Sequence, residues 1–226
     1  ARVEIRLNCG ASDISKGDRF NVRTDQGEIE AQSVVIASGG LSIPKMGATP
    51  FGYKIAEKFG LKIAPCKPGL VPLTWAREDL SLFGELAGAS LDCIARYGKH
   101  EFRENLLFTH KGLSGPAILQ VSTYLEKGGP FFLDVLPGTP PKVQFFDELV
   151  AGRINRSDLE NGLARHLPRR FVHQWLQKFG PPKPLPQCAN KDLVAFEERL
   201  HGWRVTPAGT EGYEKAEVTA GGVDTD

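Results

Sequence analysis

The side chains able to do chemistry are few and dispersed. Five histidines (His100, His110, His166, His173, His201) and four cysteines (Cys9, Cys66, Cys93, Cys188) occur without C-x-x-C or short His spacing. A zinc site needs such clustering, so no metal site is expected. The cysteines read as free thiols acting as small hydrophobes. His110 and Lys111 stand out by position, inside the Gly-rich run Thr109-His110-Lys111-Gly112-Leu113-Ser114-Gly115-Pro116. Imidazole titrates near neutral pH, which makes His110 the candidate catalytic proton donor and Lys111 a candidate substrate contact. An ordinary loop role for both is the competing reading. Gly112 to Pro116 resembles a nucleophile elbow but lacks the Gly two residues after the Ser. Ser114 therefore reads as a helix cap. No G-x-x-x-x-G-K-[ST] and no G-x-G-x-x-G occurs, so a complete phosphate or dinucleotide cradle is absent from this sequence.

Three further Gly-rich turns remain: Ser38-Gly39-Gly40, Lys45-Met46-Gly47-Ala48-Thr49 and Ala220-Gly221-Gly222-Val223. Glycine in such turns either satisfies a positive φ or lets a ligand approach the backbone.

The elements that would position these turns follow from periodicity. Residues 3–7 alternate polar and apolar as a half-buried strand does. Ile14, Phe20 to Thr24 and Glu28 to Ala31, separated by turns at Lys16-Gly17-Asp18 and Asp25-Gln26-Gly27, predict a meander. Ser33 to Gly40 reads as a buried, parallel strand whose small C-terminal residues face a ligand. Thr49 and Pro50 open a helix as N-cap and first residue, with Phe51, Ile55, Ala56 and Phe59 on its apolar face and Gly60 at its end. Strands are expected at 61–64, 71–75, 90–97 and 101–108, closing into a small barrel or sandwich. A helix after Ser114 and a strand at 131–136 follow. Short helices are expected from Lys142 to about Leu200, then strands at 203–206 and 216–219. The strand-like start and turn-like end, 220–226, suggest an excerpt of a longer protein.

Composition supports a folded chain: 226 residues, 41% hydrophobic, 24% charged and net charge +1. Disorder, collagen and coiled coil are excluded, as is a partner chosen by bulk charge alone. No apolar run reaches the ~18 residues of a membrane span, and no signal peptide precedes the first strand, so a cytoplasmic location is expected. Charge is uneven: residues 151–205 hold ten Arg and Lys against five acids. That excess is either a solvated helical face or a phosphate-backbone contact.

The ordered motifs resemble one family. Val34-Val35-Ile36-Ala37-Ser38-Gly39-Gly40-Leu41-Ser42-Ile43-Pro44-Lys45-Met46-Gly47-Ala48-Thr49 runs into Phe51-Gly52-Tyr53-Lys54-Ile55-Ala56-Glu57. With Leu70-Val71-Pro72-Leu73-Thr74, the 107–116 run and Ala216 to Val223, it is similar to the bacterial NAD(P)/FAD-dependent oxidoreductases of the BaiN/YhiN type. The resemblance implies an α/β fold plus inserted domains: a partial FAD-binding Rossmann-like sheet, a small β-barrel-like insert and a short helical segment. The implied divisions are 1–64 and 206–226 for the incomplete FAD-binding domain, 65–141 for the β-rich insert and 142–205 for the helical insert. Family members also carry a G-x-G-x-x-G turn before, and a Gly-rich flavin segment after, the stretch matched here.

Carried onto this sequence, the implied cofactor contacts are Ala11, Ala37, Ser38, Gly39, Gly40, Thr49, Gly52, Gly221 and Gly222. Ser38 stands where the family has Thr and keeps the hydroxyl. The implied reaction passes hydride from NAD(P)H through FAD to an activated C=C bond. The substrate is either a small, steroid-like molecule or a base of ribosomal RNA reduced to its dihydro form, which the basic 151–205 segment favours. The 226-residue chain alone is expected to bind FAD weakly or not at all and to be inactive. A non-catalytic binding or interaction domain is the third reading.

Overall fold

The computed structural model describes residues 3–126, 128–138, 156–181, 183 and 187–225. Contacts divide the chain into two compact units, Ala1–Pro68 with Val218–Asp226, and Gly69–Glu217.

The first unit carries a three-stranded antiparallel meander, β1 (Ala11–Lys16), β2 (Phe20–Thr24) and β3 (Gly27–Ala31). Its register sets Ile14 opposite Val22 and Val22 opposite Ile29, so the period-two apolar positions share one face. Helix α1 (Phe51–Lys58) buries Ile55 and Ala56, one face of its 3.6 period. Strand β4 (Ile63–Gly69) pairs with β12 (Val218–Val223), bringing the two ends of the unit together.

Four expectations fail in this unit. Residues 3–7 form no strand, and Val3, Ile5 and Leu7 are exposed. Residues 33–40 also lie outside any ladder, with Val35 88% exposed, so the buried parallel strand is not formed. An apolar run becomes a strand only where neighbours supply its backbone hydrogen bonds, and none does so among the described residues. The 220–223 turn is instead the end of β12, where Gly221 and Gly222 take positive φ within a paired strand. The helix also starts one residue later than expected: Pro50 is the cap residue and the Thr49 hydroxyl accepts from the Phe51 N–H at 3.4 Å.

The second unit is a seven-stranded sheet in the order β10-β9-β6-β7-β8-β5-β11. Its strands are β5 (Leu73–Thr74), β6 (Ser90–Tyr97), β7 (His100–Phe108), β8 (Gly112–Ser114), β9 (Phe131–Asp134), β10 (Trp203–Val205) and β11 (Gly209–Thr210). Helices α2 (Arg77–Phe83), α3 (Pro116–Ser122), α4 (Arg156–Leu163), α5 (Arg169–Phe179) and α6 (Asn190–His201) accompany it. Helix α5 buries Phe171, Val172, Trp175 and Leu176, spaced i, i+1, i+4, i+5. These meet sheet side chains directly: Phe108 and Phe171 ring centroids are 5.8 Å apart, and Trp175 meets Trp203 edge-on at 5.1 Å.

That shared core corrects the expected division. The β-rich and helical inserts are one unit, because α5 fills the space the sheet leaves. The return to the first unit comes at Val218, not 206: Ala208 and Glu211 N–H groups donate to Thr74 and Pro72 carbonyls at 2.9 Å, holding 206–217 on the sheet. Helix α2 was not expected in a stretch read as β; Glu78 and Asp79 suit its first turn, and it anchors on buried Phe83. Ser114 is no cap. It lies in β8, and Gly115, at φ 88°, takes the cap position of α3. Residues 139–155, which include Arg153 and part of the expected helical stretch, lie outside the described residues, as does the Arg156 side chain. No helix among the described residues is long and apolar enough to cross a membrane.

Candidate functional site

In the first unit, segments far apart in sequence meet around one open cavity of about 420 Å³. Its walls are apolar (Ile14, Phe20, Val34, Ile36, Ile55, Phe59), and Ser38, Gly39, Gly52 and Tyr53 bring polar atoms and bare backbone to it. Backbone, not side chains, shapes this edge. Gly39 takes φ 73° and a Cβ there would enter open space. A Cβ on Gly40 would stand 2.5 Å from Thr219 Oγ1, and one on Gly52 3.0 Å from Ser38 Oγ. These contacts require glycine for close approach between segments.

Thr219 organises the turn. Its Oγ1 accepts from the Leu41 and Ser42 N–H groups at 2.8 and 3.2 Å and lies 3.1 Å from the Ser42 hydroxyl. The chain between these partners is 177 residues long, so one hydroxyl ties 41–42 to β12. Tyr53 stands against both glycine pairs: its hydroxyl would lie 3.1 Å from a Gly40 Cβ and its ring 3.5 Å from a Gly222 Cβ. Neither Thr219 nor Tyr53 was singled out from the sequence; the Ala216 to Val223 motif contained the first, but only the fold reveals its partner.

Of the expected cofactor contacts, Ser38, Gly39, Gly40, Gly52 and Gly222 are thus brought together. Ala37 is exposed beside Ser38 and does not line the cavity. Thr49 is spent on the start of α1. Gly221 is needed for packing, since a Cβ would stand 2.4 Å from the Pro65 carbonyl oxygen across the β4–β12 pair. Ala11 begins β1 opposite Thr24, away from the cavity lining.

His110 and Lys111 lie in the second unit, on the turn between β7 and β8. The Thr109 hydroxyl accepts from the Lys111 and Gly112 N–H groups at 3.2 and 3.0 Å, leaving His110 exposed at the tip. Lys111 Nζ pairs with Glu211 at 3.3 Å. The glycines of this run answer to packing: a Gly112 Cβ would fall 1.9 Å from the Leu73 carbonyl oxygen and a Gly115 Cβ 2.7 Å from that of Asn105.

Part of the basic stretch is committed to holding helices. Arg170 donates to the Glu85 carbonyl and Lys178 pairs with Asp79, tying α5 to α2 and the turn after it. Arg169 reaches Asn161 at 3.2 Å, and Arg199 lies over the Phe179 ring at 5.2 Å. Arg165, Lys191 and Arg204 are exposed. Among the described residues no group of His, Cys, Asp or Glu could hold a metal ion. Burial pushes the Cys93 thiol up to about 12, so it is an inert core group.

Comparison with known proteins agrees with this architecture. Residues 67–218 match the HI0933-like protein barrel and H2TH domain. A ribosomal RNA dihydrouridine synthase of Escherichia coli is 44% identical over 99% of this chain and 56% of its own length. One from Haemophilus influenzae is 38% identical over 92% of this chain and 51% of its own. A 3-dehydro-bile acid delta(4,6)-reductase of Clostridium scindens is 25% identical over 91% of this chain and 53% of its own. The chain spans about half the length of the curated relatives it matches. The family domain accounts for most of the sequence, and the chain belongs to the HI0933-like family.

Proposed function

We propose that this chain is part of a flavin-dependent reductase that converts uridine in ribosomal RNA to dihydrouridine. The observation that supports the flavin half is the meeting of Ser38, Gly39, Gly52 and Tyr53 at one cavity, with Gly40 and Gly222 packed behind Tyr53 and the turn held by Thr219. The group fits: apolar walls suit a flat aromatic ring, and the glycine edge leaves its polar rim next to backbone. When bound, FAD would supply hydride taken from NAD(P)H. Ser38, Gly39, Gly52 and Tyr53 would hold it, Thr219 would keep the 40–42 turn in place, and the apolar walls would exclude water.

Saturating a C=C bond adds one hydride and one proton. We assign the proton to His110, whose exposed imidazole at the β7–β8 tip is free to meet a large substrate. Lys111, fixed by Glu211, would neutralise substrate charge beside it. The ribosomal RNA substrate rests on the two relatives that carry that name. The bile acid reductase supports the same C=C chemistry on a small molecule and leaves that reading second.

The test is complementation. The full-length protein, expressed in Escherichia coli lacking its relative, should restore dihydrouridine to ribosomal RNA, read by nucleoside mass spectrometry. Purified ribosomal RNA left free of dihydrouridine, with turnover of a 3-dehydro bile acid instead, would establish the second reading. His110→Asn should slow substrate reduction and leave NAD(P)H oxidation by the bound flavin unchanged.

A further inference from the structure

Among the described residues of the second unit almost every large ring is buried or packed against another ring, yet Phe132 is not. Its strand neighbours Phe131 and Leu133 are fully buried, while Phe132 is 44% exposed on the opposite, outer face of the sheet. Among the described residues no second ring or cation covers it. The register shows what flanks it: Arg204 of β10 stands directly opposite on one side and Arg96 of β6 on the other. The row therefore reads Arg204, Phe132, Arg96 across three strands. Cross-strand neighbours on one face have Cβ atoms ~5 Å apart, so both arginine side chains leave the sheet beside the ring.

The two arginines differ in commitment. Arg96 donates to Glu101 at 2.7 Å and sits 3.8 Å from Asp134, which fixes its guanidinium at the row. Arg204 is exposed on β10, at the end of the sheet order, and supplies the uncommitted charge. The β6–β7 hairpin turns immediately beyond Arg96, adding exposed Lys99 at its tip. Behind that tip His100 stacks on Tyr124 at 3.8 Å, with Tyr124 44% exposed. On the Phe132 face this end of the sheet thus sets an open ring among Arg204, Lys99 and Arg96, the last paired with Glu101 and Asp134; the His100–Tyr124 stack lies on the opposite face, since His100 pairs with Tyr97.

We infer that this end of the barrel, centred on Phe132 between Arg204 and Arg96, is a stacking platform for an unpaired RNA segment. A base would lie on the Phe132 ring while adjacent phosphates meet Arg204 and Lys99. Aromatic faces bind unpaired bases without sequence preference, and cations beside them track the backbone. A duplex keeps its bases stacked on each other and gains nothing from the ring. The inference rests on the ribosomal RNA reading and deepens it by naming where the RNA strand lies outside the reacting base.

The experiment is fluorescence anisotropy of the whole chain with a labelled single-stranded oligouridine and with a labelled RNA duplex, across a salt series. Phe132→Ala should weaken single-strand binding about tenfold, leave duplex binding unchanged, and leave the salt slope as it was. Phe132→Trp should restore it. Arg204→Gln should weaken binding several-fold and reduce the salt slope by about 0.7. Phe132 and Arg204 are exposed, so neither change removes a core contact, and unchanged circular dichroism checks the fold. Equal affinities for wild type and Phe132→Ala overturn the platform, as does a wild-type chain that binds neither RNA form. Retained dihydrouridine formation in the complementation assay would then show that the function reading survives it. Weaker capture of a protein partner by Phe132→Ala, with RNA binding intact, would assign the patch to protein docking and overturn the inference too.

Discussion

The two units handle apolar surface in opposite ways. In Gly69–Glu217, Phe83, Phe108, Phe131, Phe171 and Trp175 are all fully buried, and sheet and helices close one core. In the other unit the buried apolar side chains among the described residues are Ile14, Ile55 and Ala56. There Val3, Ile5, Leu7 and Val35 stand 76–88% exposed. The first arrangement carries its own stability; the second is a frame of backbone contacts around an open cavity. A turn built from glycines has few side chains to bury, so its rigidity depends on single hydrogen bonds such as those of Thr219.

The contrast is broken most forcefully at Trp175. Removing this ring from the centre of the second unit should cost about 3–5 kcal/mol, a large share of a typical domain's stability of ~5–15 kcal/mol. Hydrogen exchange resolved by peptide should show Trp175→Ala loosening 69–217 while peptides from 11–31 keep their rates. Equal loosening in both would mean that the units are one cooperative body.

The first unit is tested at its weakest joint. Thr219→Val keeps the shape but leaves the Leu41 and Ser42 N–H groups without their acceptor, a loss of ~1–3 kcal/mol for a buried donor and less at this part-buried site. Faster exchange confined to residues 38–42, and weaker flavin retention by the full-length protein, are the expected results. Gly40→Ala should do the same through collision with Thr219. Unchanged exchange at 38–42 in both variants would show that the turn is held by something else.

How much of this was legible beforehand follows from the range of the interactions. The meander β1–β3 and the β6–β7 hairpin were readable because period-two patterns and turn residues act locally. Residues 33–40 carry an equally clear pattern and form no strand, since pairing depends on neighbours that the pattern does not contain. Glycine content marked Ser38-Gly39-Gly40, Gly112, Gly115 and Gly221 alike as places where a ligand comes close to backbone. The atoms that approach Gly40 are those of Thr219 and Tyr53, and at Gly112, Gly115 and Gly221 they are backbone, in each case of this chain. Thr219 and Tyr53 were invisible because their significance is a contact across most of the sequence. The basic stretch was legible as charge, but not that Arg170 and Lys178 are used to fasten α5 to α2 and the turn after it.

Cysteine reactivity sharpens the contrast at a smaller scale. Cys93 is fully buried in β6 with its thiol pushed up to about 12, whereas Cys9, Cys66 and Cys188 are partly exposed. The thiolate is the reacting form. Mass spectrometry after brief alkylation of the native chain should find those three modified and Cys93 intact, with Cys93 reacting only on denaturation. Early modification of Cys93 would mean that the core of the second unit opens readily.

The smallest effect lies on the surface of the first unit, where Lys58 Nζ meets Asp13 at 2.6 Å and links α1 to β1. The hydrogen bond from Lys58 holds the Asp13 carboxyl below its ordinary value of 3.8. A carboxylate whose pKa is lowered by folding stabilises the folded state above its unfolded value, and that contribution disappears as pH falls through the folded value. Because both side chains are solvated, the contribution is small and screened by salt. Asp13→Asn should therefore lower the melting temperature slightly at neutral pH and low salt. The difference from wild type should shrink in high salt and vanish well below pH 3.8, where the wild-type carboxyl is itself protonated. A difference that persists in acid would show that Asp13 acts through its fit in β1, leaving the link between β1 and α1 to apolar contact alone.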